Sequence, residues 1–307
     1  MDRRVVSRTR SMVVVLGTYL LALGSAWVVI VAAPPSWHPL LAAFVADVVA
    51  TLVVFAVSMA FDNASLYDPY WSVAPPVVAA WWVVVAGSGD AVRQVLVVGL
   101  ITVWAVRLTG NWAYGWMGLH KVDWRYDQLR VTRGRVPWWL VNLGGIQLMP
   151  TVVVYLGLLS VWPALAGSRP FGVLDVIATL VTAGAIALEA AADVQLHRFA
   201  AAATNRGRIL ATGVWRRTRH PNYLGEIALW WGLWLFGLAA APSWWWTVVG
   251  PVAMVVLFKA ASIPLMDRRS LERRSGYADH MREVPALLPR LRGPHGQLTT
   301  PNATEHH

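Results

Sequence analysis

Eight stretches of the chain are apolar over most of their length and are separated by polar segments. They are residues 12–33, 40–61, 71–86, 91–109, 138–162, 171–193, 223–241 and 244–262. A hydrocarbon core about 30 Å thick is crossed by roughly 20 apolar residues in a helix. The pattern therefore predicts an all-α, polytopic membrane helical bundle of about eight transmembrane helices. The first stretch follows the basic segment MDRRVVSRTR and is longer than the roughly 7–15 apolar residues of a secretory signal, so a retained helix is expected. The third carries Pro75 and Pro76, which a helix accepts only within its first turn. Residues 1–39 read as an N-terminal helix and first loop, and 40–290 as one membrane domain. Residues 291–307 form a polar, Gly/Pro-rich tail expected to be disordered.

Composition supports this reading. Apolar side chains make up 57% of the 307 residues and charged ones only 14%, against about 25% charged in soluble domains. Cys 0 excludes disulfides, thiolate metal sites and a thiol nucleophile. The net charge of +10 would suggest nucleic acid in a soluble protein, but its placement argues for topology instead. Alternating the connections puts residues 1–11, 62–70, 110–137, 194–222 and 263–307 on one side. Of the 26 Lys and Arg residues, all but Arg93 and Arg169 fall at or near that side. Positive charge marks the cytoplasmic face, so both termini are expected there. Trp37, Trp71, Trp138, Trp139, Trp162 and Trp244–Trp246 sit at span ends, as interfacial aromatics do. The setting expected is a bacterial cytoplasmic membrane, with lipids and no nucleic acid as partners.

Candidate chemistry lies where polar residues enter the spans. Pro221 suits a first helical position with His220 at the cap. Asn222 and Glu226 then share a face, with Tyr223 beside them. An ionisable group inside a span costs about 2.5–3.5 kcal/mol on insertion scales and marks a functional site by default. The plain alternative is a shallow Glu226 paired with Arg219. Glu189 and Asp193 repeat the i,i+4 spacing in the sixth span, where an ion network balancing the basic loops is the alternative. Asp47, alone in the second span, reads first as a packing residue. His120, His197, His220 and His280 lie on separate segments without metal-ligand spacing, so no metal is expected. No GxGxxG, GxxxxGK[ST] or GxSxG motif occurs. A nucleotide would thus be held by membrane helices and loops, with arginines forking its phosphates and Trp or Tyr stacking its ring.

Four blocks carry a resemblance: NASLYDPYWSVAPP; RLTGNWAYGW with DWRYDQLR; EAAADVQLHRF leading into GRILATGVWRRTRHPNYLGE; and GYADHMREVPALLP. Together they resemble the steroid 5-alpha-reductase superfamily, most closely its bacterial branch of uncharacterised multi-helix membrane proteins, over nearly all the chain except the first helix and the tail. Membrane methyltransferases using S-adenosylmethionine carry a similar His-Pro-x-Tyr, but Gly225-Glu226 directly after the tyrosine favours the reductases. The resemblance implies NADPH bound in the C-terminal half, about residues 171–290. By motif position Asp193, Arg208, Asn222 and Glu226 would hold it, joined by Arg107 and Asn111 and by Arg219, His220 and Tyr223 of the same block. Tyr277 would open the segment that closes over the cofactor. The family's catalytic glutamate and tyrosine grip a substrate carbonyl; Asp68 with Tyr67 or Tyr70 is the nearest chemical equivalent here. The implied reaction is hydride reduction of a carbon–carbon double bond conjugated to a carbonyl in a lipophilic, steroid- or isoprenoid-like substrate. The alternatives are a membrane methyltransferase and a non-enzymatic lipid-binding or transport protein.

Overall fold

The computed structural model describes residues 7–289; the expected disordered tail lies outside them. Among the described residues, eight helices are long and apolar enough to cross a membrane. We label them with two short connecting helices: α1 (Arg8–Ala32), α2 (Pro39–Ala60), α3 (Tyr70–Ala86), α4 (Ala91–Gly115), the short α5 (Trp124–Thr132), α6 (Trp138–Ala166), α7 (Val173–Ala201), α8 (Pro221–Ala240), α9 (Pro242–Arg273) and the short α10 (Tyr277–Glu283). The protein is an all-helical, multi-pass membrane bundle, and no strand forms among the described residues.

Helix α8 is the centre, with 61% of its most apolar window buried, whereas α1 (17%) lies at the edge against α2. Trp230, Leu229, Leu233 and Phe236 of α8 fill the core with Trp82 of α3, Trp104 of α4 and Val161 and Ala164 of α6. Inside lipid, apolar burial gives little drive for helices to associate, so close backbone approach matters more. The glycines of α8 supply it. A Cβ on Gly225 would strike the Glu189 side chain and Ala185 O of α7, and one on Gly232 would strike Thr182.

The structure departs from the sequence pattern at three places. Residues 62–70, expected as a cytoplasmic loop, fold inward: Asn63, Ala64, Ser65, Leu66 and Tyr67 are all 2% exposed or less. Ala64–Tyr67 form a 3-10 helix, and the polar groups around it are tolerated when protein satisfies them. Here Tyr19 OH donates to Leu66 O (2.8 Å) and Asn63 Nδ2 to Leu119 O (2.8 Å). Second, α3 begins at Tyr70, so Pro75 and Pro76 stand inside the helix rather than in its first turn, as membrane helices permit when neighbours re-satisfy the freed carbonyls. Third, α9 runs on to Arg273 through a π-helical stretch, Phe258–Ser262, where a loop was expected from residue 263. A second π-helical stretch, Val141–Leu148 of α6, aligns Asn142 with Gln147. Both bond to the buried Ser58 of α2, a polar knot to which no sequence motif pointed.

Candidate functional site

Three i,i+4 pairs on three helices converge. On α7 they are Glu189 and Asp193, on α4 Arg107 and Asn111, and on α8 Glu226 and Trp230. Arg107 Nη1 donates to Asp193 Oδ2 at 2.6 Å, its Nη2 to Glu189 Oε2, and Asn111 Nδ2 to Asp193 Oδ2 at 3.2 Å. Glu226, 4% exposed, accepts the indole N–H of Trp104 at 2.9 Å and of Trp230 at 2.8 Å. Its partners are thus two tryptophans and not Arg219. Arg107 Nε is buried without a partner, and the Glu189 carboxyl lies against that of Glu226.

Arg219 and His220 belong to a second cluster, built on Asp267 of α9. Arg219 Nη2 donates to Asp267 Oδ2 (2.8 Å), His220 Nε2 meets Oδ1 (3.0 Å), and Tyr277 OH donates to Oδ1 (2.8 Å). The main chain joins in, with Arg219 N donating to Pro285 O (3.0 Å) and His220 N to Ala286 O (3.2 Å). Both residues expected on the cofactor therefore strap residues 284–286 to the start of α8. The His220 ring stacks on Tyr223, 5.3 Å away. Asp267 escaped the sequence reading because it sits in MDRRS, beyond the expected end of the last span. Arg208 is exposed and Asn222 half-buried; neither side chain has a hydrogen bond among the described residues.

Outside the spans, two groups of this strap titrate unusually. Burial and the bond to Asp267 push the Tyr277 phenol up to about 12. Burial first, then the Arg219 guanidinium, holds His280 below its ordinary value. A base whose folded pKa is depressed contributes stability that is present above its unfolded value and lost as pH falls through the folded one. Acidification below about 6.5 is therefore expected to loosen α10, seen as faster hydrogen exchange of its amides, and His280→Gln should flatten that pH dependence. Unchanged acid sensitivity in the variant would refute this assignment.

Two cavities adjoin the segment 65–70. A polar one of 660 Å³ is lined by Ser65, Asp68, Asn111, Trp112, Trp116 and Arg269, among others, within the size range of ligand sites. An apolar one of 190 Å³ lies between α1, α2 and α3, with Asp47 and Tyr70 as its polar wall. The expected catalytic trio is thereby divided. Asp68 takes the Tyr126 hydroxyl and faces the polar cavity. Tyr67 OH pairs with Thr151 Oγ1 at 2.7 Å. Tyr70 OH donates not to Asp68 but to Asp47 Oδ1, at 2.7 Å. Asp47 is buried and satisfied, as a packing residue is, although its isolation in an apolar run gave no sign of a partner 23 residues away.

A family model described as "Protein of unknown function (DUF1295)" matches residues 54–284. The chain belongs to this family. The DUF1295 match takes in both polar clusters and Tyr70, and leaves out α1 and Asp47. An uncharacterized protein of the fission yeast Schizosaccharomyces pombe is 29% identical over 278 residues, covering 82% of this chain and 80% of that one. The similarity reaches a eukaryote, so the expected restriction to bacteria is corrected to an integral multi-pass membrane protein without that limit. No solved structure matches the chain.

Proposed function

We propose that this DUF1295 protein is an NADPH-dependent reductase of the steroid 5-alpha-reductase kind. Its substrate would be a lipophilic molecule with a carbon–carbon double bond conjugated to a carbonyl. Both termini and the polar cavity would face the cytoplasm, on the charge argument above. The observation that carries the reading is the pair of cavities at one segment. Asp68 lines a polar chamber and Tyr70, two residues on, lines an apolar one, so a polar and a lipophilic ligand would meet across residues 65–70.

The residues fit the cofactor at one point in particular. Buried Arg107 Nε is a donor without a partner, which an acceptor such as the carboxamide oxygen of the nicotinamide would complement. Arg107, Asn111, Asp193, Asn222 and Glu226 would hold that end. When bound, NADPH would supply the hydride. Reduction places negative charge on the substrate oxygen, and a preorganised donor there lowers the barrier. Asp47, which accepts from Tyr70 on Oδ1, could in its acid form donate to that oxygen, while the walls of α1, α2 and α3 exclude water.

Thermal unfolding of the purified protein in detergent tests the reading. A ligand at 100 times its Kd stabilises by about 2.7 kcal/mol, so saturating NADPH should raise Tm by several degrees and lose that effect in Asn222→Ala and Glu226→Ala. Stabilisation by S-adenosylmethionine alone would move the protein to the methyltransferases. Stabilisation by neither, with lipid still bound, would favour a binding or transport role.

A further inference from the structure

The apolar cavity is a trough rather than a chamber. Its walls follow one stripe of α1, from Tyr19 to Ile30, and one stripe of α3, from Tyr70 to Trp81. Each stripe covers about 16 Å of helix at 1.5 Å per residue. The floor is α2, which offers Ala43, Ala46, Asp47 and Ala50. Helices α1 and α3 both pack on α2 without packing along each other, so the small side chains of α2 leave a channel between them. Tyr19 and Tyr70 close one end, edge to face at 5.9 Å. The side stays open: Leu23, Trp27 and Val77 line the trough and are 40–62% exposed, which in a membrane bundle is exposure to lipid.

An alanine-floored trough by itself would take any acyl chain, and Asp47 makes it selective. The residue is 6% exposed, and its Oδ1 holds Tyr70 OH at the closed end. Its Oδ2 has no hydrogen-bond partner among the described residues, yet it is not sealed in, and the residue lines the trough. An ionisable group inside a span is costly and marks a site, and a hydrocarbon tail gives it nothing to bond. The ligand must therefore bring a polar group to the closed end. Size narrows the choice further. An apolar cavity of about 150 Å³ takes one benzene ring, and sites that enclose a drug-sized ligand begin near 300 Å³. At 190 Å³, drawn out along the two walls, the trough has room for one extended chain and none for a four-ring skeleton.

We propose that the trough between α1, α2 and α3 binds a single-chain lipid with a carbonyl at one end, the carbonyl at Asp47 and the chain lying along α2 with its far part in the bilayer. Asp47 in its acid form gives that carbonyl one hydrogen bond. As a statement about substrate this rests on the reductase reading, and it selects a linear acyl- or prenyl-type enone over a steroid.

Native mass spectrometry of the full-length protein, released from detergent without NADPH, tests the assignment with three probes. They are a linear enone ending in a methyl ketone, the linear alkane of equal length, and a four-ring steroid enone. The linear enone should bind roughly tenfold tighter than the alkane, the worth of one hydrogen bond, and tighter than the steroid. That ranking needs no variant. Asp47→Leu should erase the preference of enone over alkane. Ala26→Phe and Ala74→Phe, at half-buried wall positions, fill the trough. Each should weaken the linear enone by roughly tenfold or more, since about two methylenes of lost burial amount to that. The proposal is overturned if the steroid binds tighter, if Asp47→Leu keeps the preference, or if both filled variants bind as the parent does. NADPH oxidation separates the two readings. A linear enone that binds as described but is never reduced upholds the trough and sinks the reductase reading. Reduction of the steroid alone upholds the reductase and sinks the trough.

Discussion

Arg93→Met is expected to lower the unfolding free energy by about 3–5 kcal/mol, the range for removing one partner of a buried pair. The Arg93 side chain is 0% exposed and that of Asp175 2%. The guanidinium donates through Nε to Asp175 Oδ1 (2.6 Å) and through Nη2 to Oδ2 (3.0 Å), with Nη1 on Arg169 O (3.0 Å). Asp175 also accepts from Gly172 N (2.8 Å) at the start of α7. Methionine would leave this carboxylate with one bond and no countercharge. The double variant Arg93→Met/Asp175→Leu removes the charge as well, so it should recover a large part of the loss. Chemical unfolding in detergent reads both, and a single variant within about 0.5 kcal/mol of the parent, the scatter of ordinary surface changes, would show that the pair is not what joins α4 to α7. The pair also explains one exception in the charge pattern: Arg93 reports no topology because it is spent inside the protein.

Legibility followed period and contrast. A run of some 20 apolar residues has one stable solution in lipid, so all eight spans could be read, as could α8 opening at Pro221. Glu189, Asp193 and Glu226 were legible because a polar residue stands out against an apolar helix, and i,i+4 spacing says which ones share a face, whereas Arg107 and Asn111 were expected only from the resemblance. Partners were not legible, because pairing across helices depends on packing that no local pattern encodes. Glu226 could be expected to meet Arg219, yet it meets Trp104 of α4 and Trp230 of its own helix, while Asp267 claims Arg219.

On the reductase reading, the observed pairing makes a prediction that separates Asp47 from Asp68. Asp47→Asn should lower turnover of a lipophilic enone by roughly 10²–10³, the cost of losing one donor to a developing oxyanion, and Tyr70→Phe, which removes only the bond that orients Asp47, should lower it by less. NADPH affinity should stay unchanged, because neither residue lines the polar cavity. Asp68→Asn should act differently. Its carboxyl receives Tyr126 of α5, so the amide would loosen α5 against the segment 65–70 and shift KM for NADPH more than kcat. Steady-state NADPH oxidation with an enone-bearing lipid gives both constants for all three variants. If Asp68→Asn abolishes kcat while Asp47→Asn spares it, the chemistry belongs to the polar cavity and the apolar pocket is only a lipid-binding recess. The prediction can fail in this way because Tyr70 lies two residues from Asp68 and still points to another helix, so chain proximity and spatial pairing name different acids.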